Sequence, residues 1–151
     1  MQVMPQAAAR NVTVLMETHD DWSNTPAVRA VVEQANHPNL AVLWDCMHPQ
    51  RMMETVEESW ANIGHMTKHV HAHDSNYDVD GKLTATPLNE GLFDHLTPWR
   101  LLDSAGFDGY FSIEVIQPVG SGKANGEAIL AQYAEGFASI AKQAAQSRSK
   151  L

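Results

Sequence analysis

Four short apolar runs are spaced along the chain, and each contains or ends in a polar side chain that can take part in chemistry. The runs are rich in β-branched and aromatic residues, which favour strands. They are close to continuously apolar, as expected of parallel strands that are buried on both faces. The four predicted strands are VTVLME (12–17), LAVLWD (40–45), HMTKHVHAHD (65–74) and GYFSIEV (109–115).

Segments with apolar residues at helical spacing separate these runs. Two of them open with a Thr-Pro pair, at Thr25 and Thr97, with threonine as the cap and proline at the first helical position. Pro49 precedes another, Gly106 is a predicted helix stop, and Asn125 is a candidate cap for the last helix. The alternation of strand and helix predicts an α/β fold with a parallel sheet and helical crossovers. The predicted buried stripes are Val28, Val31, Val32 and Ala35; Met53, Val56, Trp60 and Ile63; Leu101, Leu102 and Ala105; and Ile129, Tyr133, Phe137 and Ile140.

The composition is that of one folded domain. Hydrophobic residues make up 44% and charged residues 19% of 151 residues, which is enough for a single core. We therefore expect one domain over residues 1–151, with flexible ends at 1–11 and 144–151. The net charge of -8 argues against a nucleic-acid partner.

The cysteine content and the hydropathy of the chain indicate in which cellular compartment we expect the protein. Cys46 is the single cysteine, so an internal disulfide is excluded, which suits a reducing cytoplasm. No apolar run approaches the ~20 residues that a membrane span needs, and the N-terminus lacks the apolar core of a signal peptide. We therefore expect a cytoplasmic protein with no membrane partner.

Acidic and imidazole side chains stand where each predicted strand ends. The carboxyl ends of parallel strands meet on one face of the sheet, and active sites form there, so we expect these side chains to converge. Carboxylates with one imidazole suit Mn²⁺ or Mg²⁺, with Zn²⁺ or Co²⁺ as alternatives. Histidines on a strand buried on both faces need partners, and a metal with its surroundings supplies them. The candidates are Glu17, His19, Asp45, His48, His69, His71, His73 and Glu114.

Each of these side chains also has an ordinary structural interpretation. A strand-end Glu or Asp is commonly a helix cap or a salt-bridge partner, and a histidine within a strand is commonly a hydrogen-bonded core residue. The coincidence at four successive strands favours the metal site over these separate explanations.

The segment PVGSGKANG (118–126) also has two interpretations. Its glycines and the helix that follows could hold a phosphate group through backbone N–H groups. It is not a Walker A loop, because its upstream glycine spacing is wrong. We favour a flexible surface loop.

Five motifs, in order, resemble the C-terminal half of the sugar phosphate isomerase/epimerase superfamily, the xylose isomerase-like TIM barrels. The resemblance covers about residues 12–116. It implies a half barrel of four parallel strands with crossover helices, where a TIM barrel has eight strands. Four strands leave two open edges, so we expect a homo-oligomer or a partner that supplies the other half barrel. The motifs are LMETHDDW, NLAVLWDCMHP, HVHAHDS, PLNEGLFD and GFDGYFSIEV.

The resemblance implies a set of metal ligands. In the superfamily a Glu, an Asp, a His and a Glu from the last four strands hold the metal. His71 is preferred to His69 because the family ligand lies three residues before an acidic residue, here Asp74. The implied ligands are Glu17, Asp45, His71 and Glu114.

The resemblance also implies residues that bind the substrate. His48 matches a family histidine that contacts substrate oxygens, and His73 stands where the family often has lysine. His19 and Trp22 follow the first strand, and they either line the substrate pocket or form a surface turn.

The function implied is a divalent-metal-dependent isomerase or epimerase, with Mn²⁺ as the expected cation. Its substrate would be a sugar, a sugar phosphate or a related hydroxy-carbonyl compound that reacts through an enediolate, with Glu17, Glu114 and His48 as the catalytic residues. The alternatives are a dehydratase of the inosose dehydratase type and a non-catalytic half barrel that binds a metal or a sugar. Endonuclease IV, a DNA-binding member of the superfamily, fits poorly with the acidic net charge.

Overall fold

The computed structural model describes residues 2–114 and 126–148, and its main sheet has four strands. The order across the sheet is β1-β2-β3-β6, with β1 parallel to β2 and β2 parallel to β3. This order, with its parallel pairs and the helices between the strands, confirms the predicted α/β fold. The strands are β1 (Val14–Glu17), β2 (Leu40–Asp45), β3 (Thr67–Ala72), β4 (Asp74–Tyr77), β5 (Leu83–Thr86) and β6 (Tyr110–Ile113).

Helices connect the strands of this sheet. The chain divides into two compact units, the first formed by Met1–His71 with Asp108–Ser112 and the second by Ala72–Phe107 with Ile113–Leu151. The helices are α1 (Met4–Ala9), α2 (Thr25–Ala35), α3 (Met47–Arg51), α4 (Val56–Ile63), α5 (Leu96–Ser104) and α6 (Gly126–Arg148).

The core of the first unit lies between the sheet and helices α2 and α4. Asn62 of α4 donates a hydrogen bond to Thr25 at the start of α2 (3.0 Å). Glu54 accepts from both the backbone N–H and the hydroxyl of Thr25, so the two helices are joined at this point. Among the fully buried apolar side chains of this core are Val28, Val42, Trp44, Ile63 and Val70.

Helix starts fall within a few residues of the predicted positions, but different side chains cap them. Asn24 rather than Thr25 caps α2, because its side-chain oxygen accepts from the N–H of Ala27 (3.1 Å). The carboxylate of Asp94 accepts from two N–H groups at the start of α5. Short polar side chains of this kind reach the unpaired N–H groups of a first helical turn.

Helix α4 begins later than Pro49 indicated. Pro49 lies inside the short helix α3, and Thr55 forms a capping box with Glu58 at the start of α4. Met53, predicted in the buried stripe, has a positive φ of 63° and is 90% exposed, because it lies in the turn between the two helices. Gly106 has φ 66° just after α5, as the predicted helix stop requires.

The second unit contains a hairpin that the apolar pattern did not predict. The third run was predicted as one strand over 65–74, whereas β3 ends at Ala72 and β4 begins at Asp74. Strand β4 pairs antiparallel with β5. Helices α5 and α6 pack together, with the rings of Trp99 and Phe137 6.3 Å apart.

The two ends that the sequence predicts to be flexible, 1–11 and 144–151, overlap helices, and their flexibility remains a prediction. Residues 1–11 contain α1, whose Met4 and Ala7 are buried, and α6 continues to Arg148 with Ala144 buried. The glycine-rich segment up to residue 125, with the candidate cap Asn125, lies outside the described residues. In the part of the chain that the structure describes, no helix combines the length and the apolar character that crossing a membrane requires.

Candidate metal centre

Three of the four predicted ligands meet in the first unit, at the carboxyl ends of adjacent strands. Glu17 ends β1, Asp45 ends β2, and His71 of β3 lies opposite Asp45 in the sheet register. One donor atom from each lies within 4.8 Å of the others. Nδ1 of His71 lies 3.0 Å from Oε1 of Glu17, so two atoms that could bind a cation are adjacent to each other. Two carboxylates and one imidazole form a donor set that fits Mn²⁺ or Mg²⁺.

Asp45 is held rigidly in this group. Its side chain is fully buried, and Oδ1 accepts from the N–H groups of Met47 (2.9 Å) and His48 (3.3 Å), so it caps α3. The hydroxyl of Thr18 accepts from the N–H of Asp45 (2.9 Å) and donates to its carbonyl oxygen (3.0 Å). The carboxylate of Asp45 therefore caps a helix, as one interpretation of the sequence allows, and it also lies close to Glu17.

Only a weak feature of the sequence marks Thr18. It is a polar residue directly after an apolar run, and it is fully buried. A buried hydroxyl needs partners, and here both partners belong to the neighbouring strand end.

His48 lies beside the ligand group on α3. One of its ring nitrogens is within 4.8 Å of a carboxylate oxygen of Asp45, and the residue is 3% exposed. The ring of His19 packs against it with centroids 3.9 Å apart. Trp22 ends the short 3-10 turn that follows His19 and is 46% exposed, and its place in a substrate pocket remains a prediction.

His69 has a different partner from His71. Its Nε2 is 2.7 Å from Oγ of Ser112 on β6, and its ring meets His71 edge-on with centroids 5.3 Å apart. Burial lowers the pKa of His69, and the nearby His71 adds to that shift, while Glu17 acts in the opposite direction. His69 therefore links two strands, and His71 is the histidine of this strand that joins Glu17 and Asp45.

Glu114 and His73 belong to the second unit. Glu114 directly follows β6, and its N–H donates to the carbonyl oxygen of Ala72 (3.1 Å). Its carboxylate oxygen Oε2 is 3.9 Å from Nε2 of His73, which is 8% exposed. Glu114 as the fourth ligand remains a prediction.

Asp74 organises the segment that follows the hairpin of the second unit. Its fully buried carboxylate accepts hydrogen bonds from four backbone N–H groups, those of Ser75, Asn89, Gly91 and Phe93. A Cβ on Gly91 would collide with this carboxylate, so glycine is needed for the close approach. The sequence identified Asp74 only as a spacing marker, because its partners lie 15 to 19 residues away apart from Ser75.

His95 joins the same buried cluster. Its Nε2 donates to the carbonyl oxygen of His73 (2.9 Å), and its Nδ1 is 3.9 Å from Oδ2 of Asp74. Burial lowers the pKa of His95, and the negative charge of Asp74 opposes that shift. His95 was not among the candidate residues, because nothing in the local sequence marks it; it lies directly before α5.

Residues 1–147 match a family model described as Xylose isomerase-like TIM barrel. The chain belongs to this family. No curated protein matches the chain by sequence.

Solved structures share the fold. An L-ribulose 3-epimerase has a TM-score of 0.77 at 15% identity, with 98% of this chain and 53% of that chain covered. A probable 3-DHS dehydratase from Bacillus anthracis has a TM-score of 0.74 at 20% identity, with 91% and 53% covered. A xylose isomerase-like TIM barrel protein from Mycobacterium smegmatis, solved in complex with magnesium, has a TM-score of 0.67 at 16% identity, with 95% and 48% covered. The chain thus spans about half the length of the solved structures that it matches.

Proposed function

We propose that this chain carries the metal-binding half of an isomerase or epimerase that acts on a sugar, a sugar phosphate or a related hydroxy-carbonyl compound. The observation that supports it most is the convergence of Glu17, Asp45 and His71 at three adjacent strand ends of a xylose isomerase-like fold. Isolated caps or salt bridges would not need to share one point on the sheet.

The residues that would hold a divalent cation are Glu17, Asp45, His71 and Glu114. Support for Glu114 comes from its position directly after β6, the strand next to β3 in the sheet. When bound, the cation supplies Lewis-acid polarisation of neighbouring carbonyl and hydroxyl oxygens, which acidifies the C–H between them. The oxygen-rich donor set favours Mn²⁺ or Mg²⁺, with Co²⁺ and Zn²⁺ as alternatives.

The chain's own residues would carry the proton transfer. Glu17 removes a proton from the carbon next to the carbonyl group, and Glu114 returns one, which gives an epimer or an isomer through an enediolate. His48 stabilises the oxygen on which negative charge develops. His19, Trp22 and His73 would contact the rest of the substrate.

A dehydratase is the second candidate, and the fold shared with a probable 3-DHS dehydratase favours it. The first step is the same removal of a proton by Glu17. The outcome differs because a neighbouring hydroxyl then leaves as water, so the mass of the product separates the two functions.

We also propose that the active assembly is a homo-oligomer or includes a partner that supplies the other half barrel. The edge strands of the described sheet are β1 and β6, and strand edges offer unpaired backbone groups. Light scattering on the purified chain at micromolar concentration tests this. A monomer with a cooperative, concentration-independent unfolding transition would contradict it.

Exchange with solvent deuterium tests the proposed chemistry. The purified protein is loaded with Mn²⁺ and incubated in D₂O with a panel of ketoses, aldoses and their phosphates, and substrate deuteration is followed by mass spectrometry. We expect deuterium at the carbon next to the carbonyl group, and its loss in Glu17→Gln. The matched control is Glu33→Gln on the exposed face of α2, where Glu33 pairs with Arg29.

Two outcomes would contradict the isomerase proposal. Turnover that survives complete removal of metal by a chelator would exclude the mechanism. Stoichiometric metal binding without exchange on any substrate, in the assembled protein, would support the non-catalytic alternative.

A further inference from the structure

Arg51 contacts the catalytic candidate His48 from within the same short helix. The two residues are three positions apart in α3, and Nη1 of Arg51 lies 3.2 Å from Nδ1 of His48. Residues at this spacing are neighbours on a helix surface. The contact lies entirely within the first unit.

The chemistry of the two groups determines the direction of this hydrogen bond. A guanidinium group offers only donors and does not lose its proton in proteins, so Nη1 must donate. Nδ1 of His48 must therefore accept, and it cannot carry a proton of its own. In a neutral imidazole the proton then resides on the other ring nitrogen, Nε2.

We propose that Arg51 is a positioning residue that sets His48 in the tautomer with the proton on Nε2. Other contacts keep the ring in place for this interaction. The backbone N–H of His48 is bound to Oδ1 of Asp45, and the ring of His19 packs against the imidazole with centroids 3.9 Å apart. At 3% exposure, His48 offers water little access to compete with the guanidinium.

This inference rests on the proposed function for its consequence, because the tautomer decides what His48 does to a substrate. With its proton on Nε2, the ring acts as a hydrogen-bond donor towards an oxygen that gains negative charge. It does not act as a base through Nδ1, since that nitrogen is occupied by Arg51. Proton removal is thereby left to the carboxylate of Glu17.

Nitrogen NMR of the metal-free, substrate-free protein tests the tautomer. The chain is labelled with ¹⁵N-histidine, long-range ¹H–¹⁵N correlations are recorded at one pH above neutrality, and the His48 signals are identified by their loss in His48→Gln. We expect Nδ1 to resonate as an unprotonated ring nitrogen, far downfield of a protonated Nε2. In Arg51→Met this pattern should be lost, with both nitrogens moving towards the averaged shifts of two exchanging tautomers.

Two further variants separate this role from a general structural one. Arg51→Lys keeps a cationic donor and should recover the wild-type pattern at least in part. Arg29→Met removes an arginine from the exposed Arg29–Glu33 pair of α2 and should leave the His48 signals unchanged.

Two results would overturn the proposal. One is a protonated Nδ1 in the wild-type protein, which can be measured even if Arg51→Met does not fold. The other is a folded Arg51→Met with the wild-type pattern. Because the spectra need neither metal nor turnover, failure of the proposed function leaves these shifts unaffected, and failure of the tautomer assignment leaves the deuterium exchange test intact.

Discussion

Replacement of Asp74 by asparagine tests how the second unit is held together. Each of the two carboxylate oxygens accepts hydrogen bonds from two backbone N–H groups. Oδ1 accepts from those of Ser75 (2.9 Å) and Phe93 (3.3 Å). Oδ2 accepts from those of Asn89 (3.0 Å) and Gly91 (2.9 Å). Asparagine keeps one acceptor oxygen and places an NH₂ group where the other oxygen was. Two backbone N–H groups would then face a donor in a fully buried site.

The size of the effect follows from the burial of this group. Hydrogen bonds to charged groups contribute about 1.5–3 kcal/mol each, so losing two of them costs about 3–6 kcal/mol. Solvent screening does not reduce this figure, because Asp74 is 0% exposed. Since a domain has about 5–15 kcal/mol of stability in total, we expect Asp74→Asn to lose a large share of it.

The assay is urea denaturation followed by tryptophan fluorescence and circular dichroism. The matched control is Asp78→Asn in the exposed turn of the hairpin, where the carboxylate accepts from the N–H groups of Asp80 (3.0 Å) and Lys82 (2.9 Å). Both of these bonds go to Oδ1, an acceptor that asparagine keeps, and the turn is open to water, so the control should lose far less stability. Equal free energies of unfolding for Asp74→Asn and Asp78→Asn would refute the reasoning.

Three further predictions follow from other contacts. Gly91→Ala should lower the unfolding temperature strongly because its Cβ collides with the buried carboxylate, whereas Gly126→Ala meets no atom within 4 Å and should not; equal shifts would argue against the collision. Burial lowers the pKa of His95 below its ordinary value of about 6.5, so the unfolded chain binds a proton first as the pH falls. The stabilisation that depends on neutral His95 should be fully present above about pH 6.5 and should decline below it. The urea midpoint of His95→Gln should therefore fall less steeply between pH 7 and 5 than that of the wild type. His71→Ala should weaken Mn²⁺ binding in calorimetry far more than His69→Ala, because His71 faces the carboxylates and His69 faces a serine; equal losses would show that the wrong histidine was chosen.

Much of the main sheet could be predicted from the sequence, because each strand is a short apolar run that stands between helical segments. The run 65–74 was the exception, since alternating small and polar residues continue past the end of β3 into β4. The peptide that separates the two strands is at His73, and nothing in the local pattern marks it as a break. Strand β3 ends because of contacts with residues that are distant in the sequence. Asp74 accepts a hydrogen bond from the N–H of Gly91, and His95 donates one to the carbonyl oxygen of His73.

The candidate site, like the sheet, follows in part from the local sequence pattern and in part from contacts between distant residues. Parallel strands bring their carboxyl ends together, so the positions of Glu17, Asp45 and His71 follow from where three apolar runs end. The role of each side-chain atom depends on neighbouring residues that the hydrophobic pattern does not identify. Asp45 caps a helix with one oxygen, and His48 meets a guanidinium at one ring nitrogen. The chemistry proposed for this candidate centre therefore depends on single-atom contacts made by a five-residue helix that the apolar pattern did not predict.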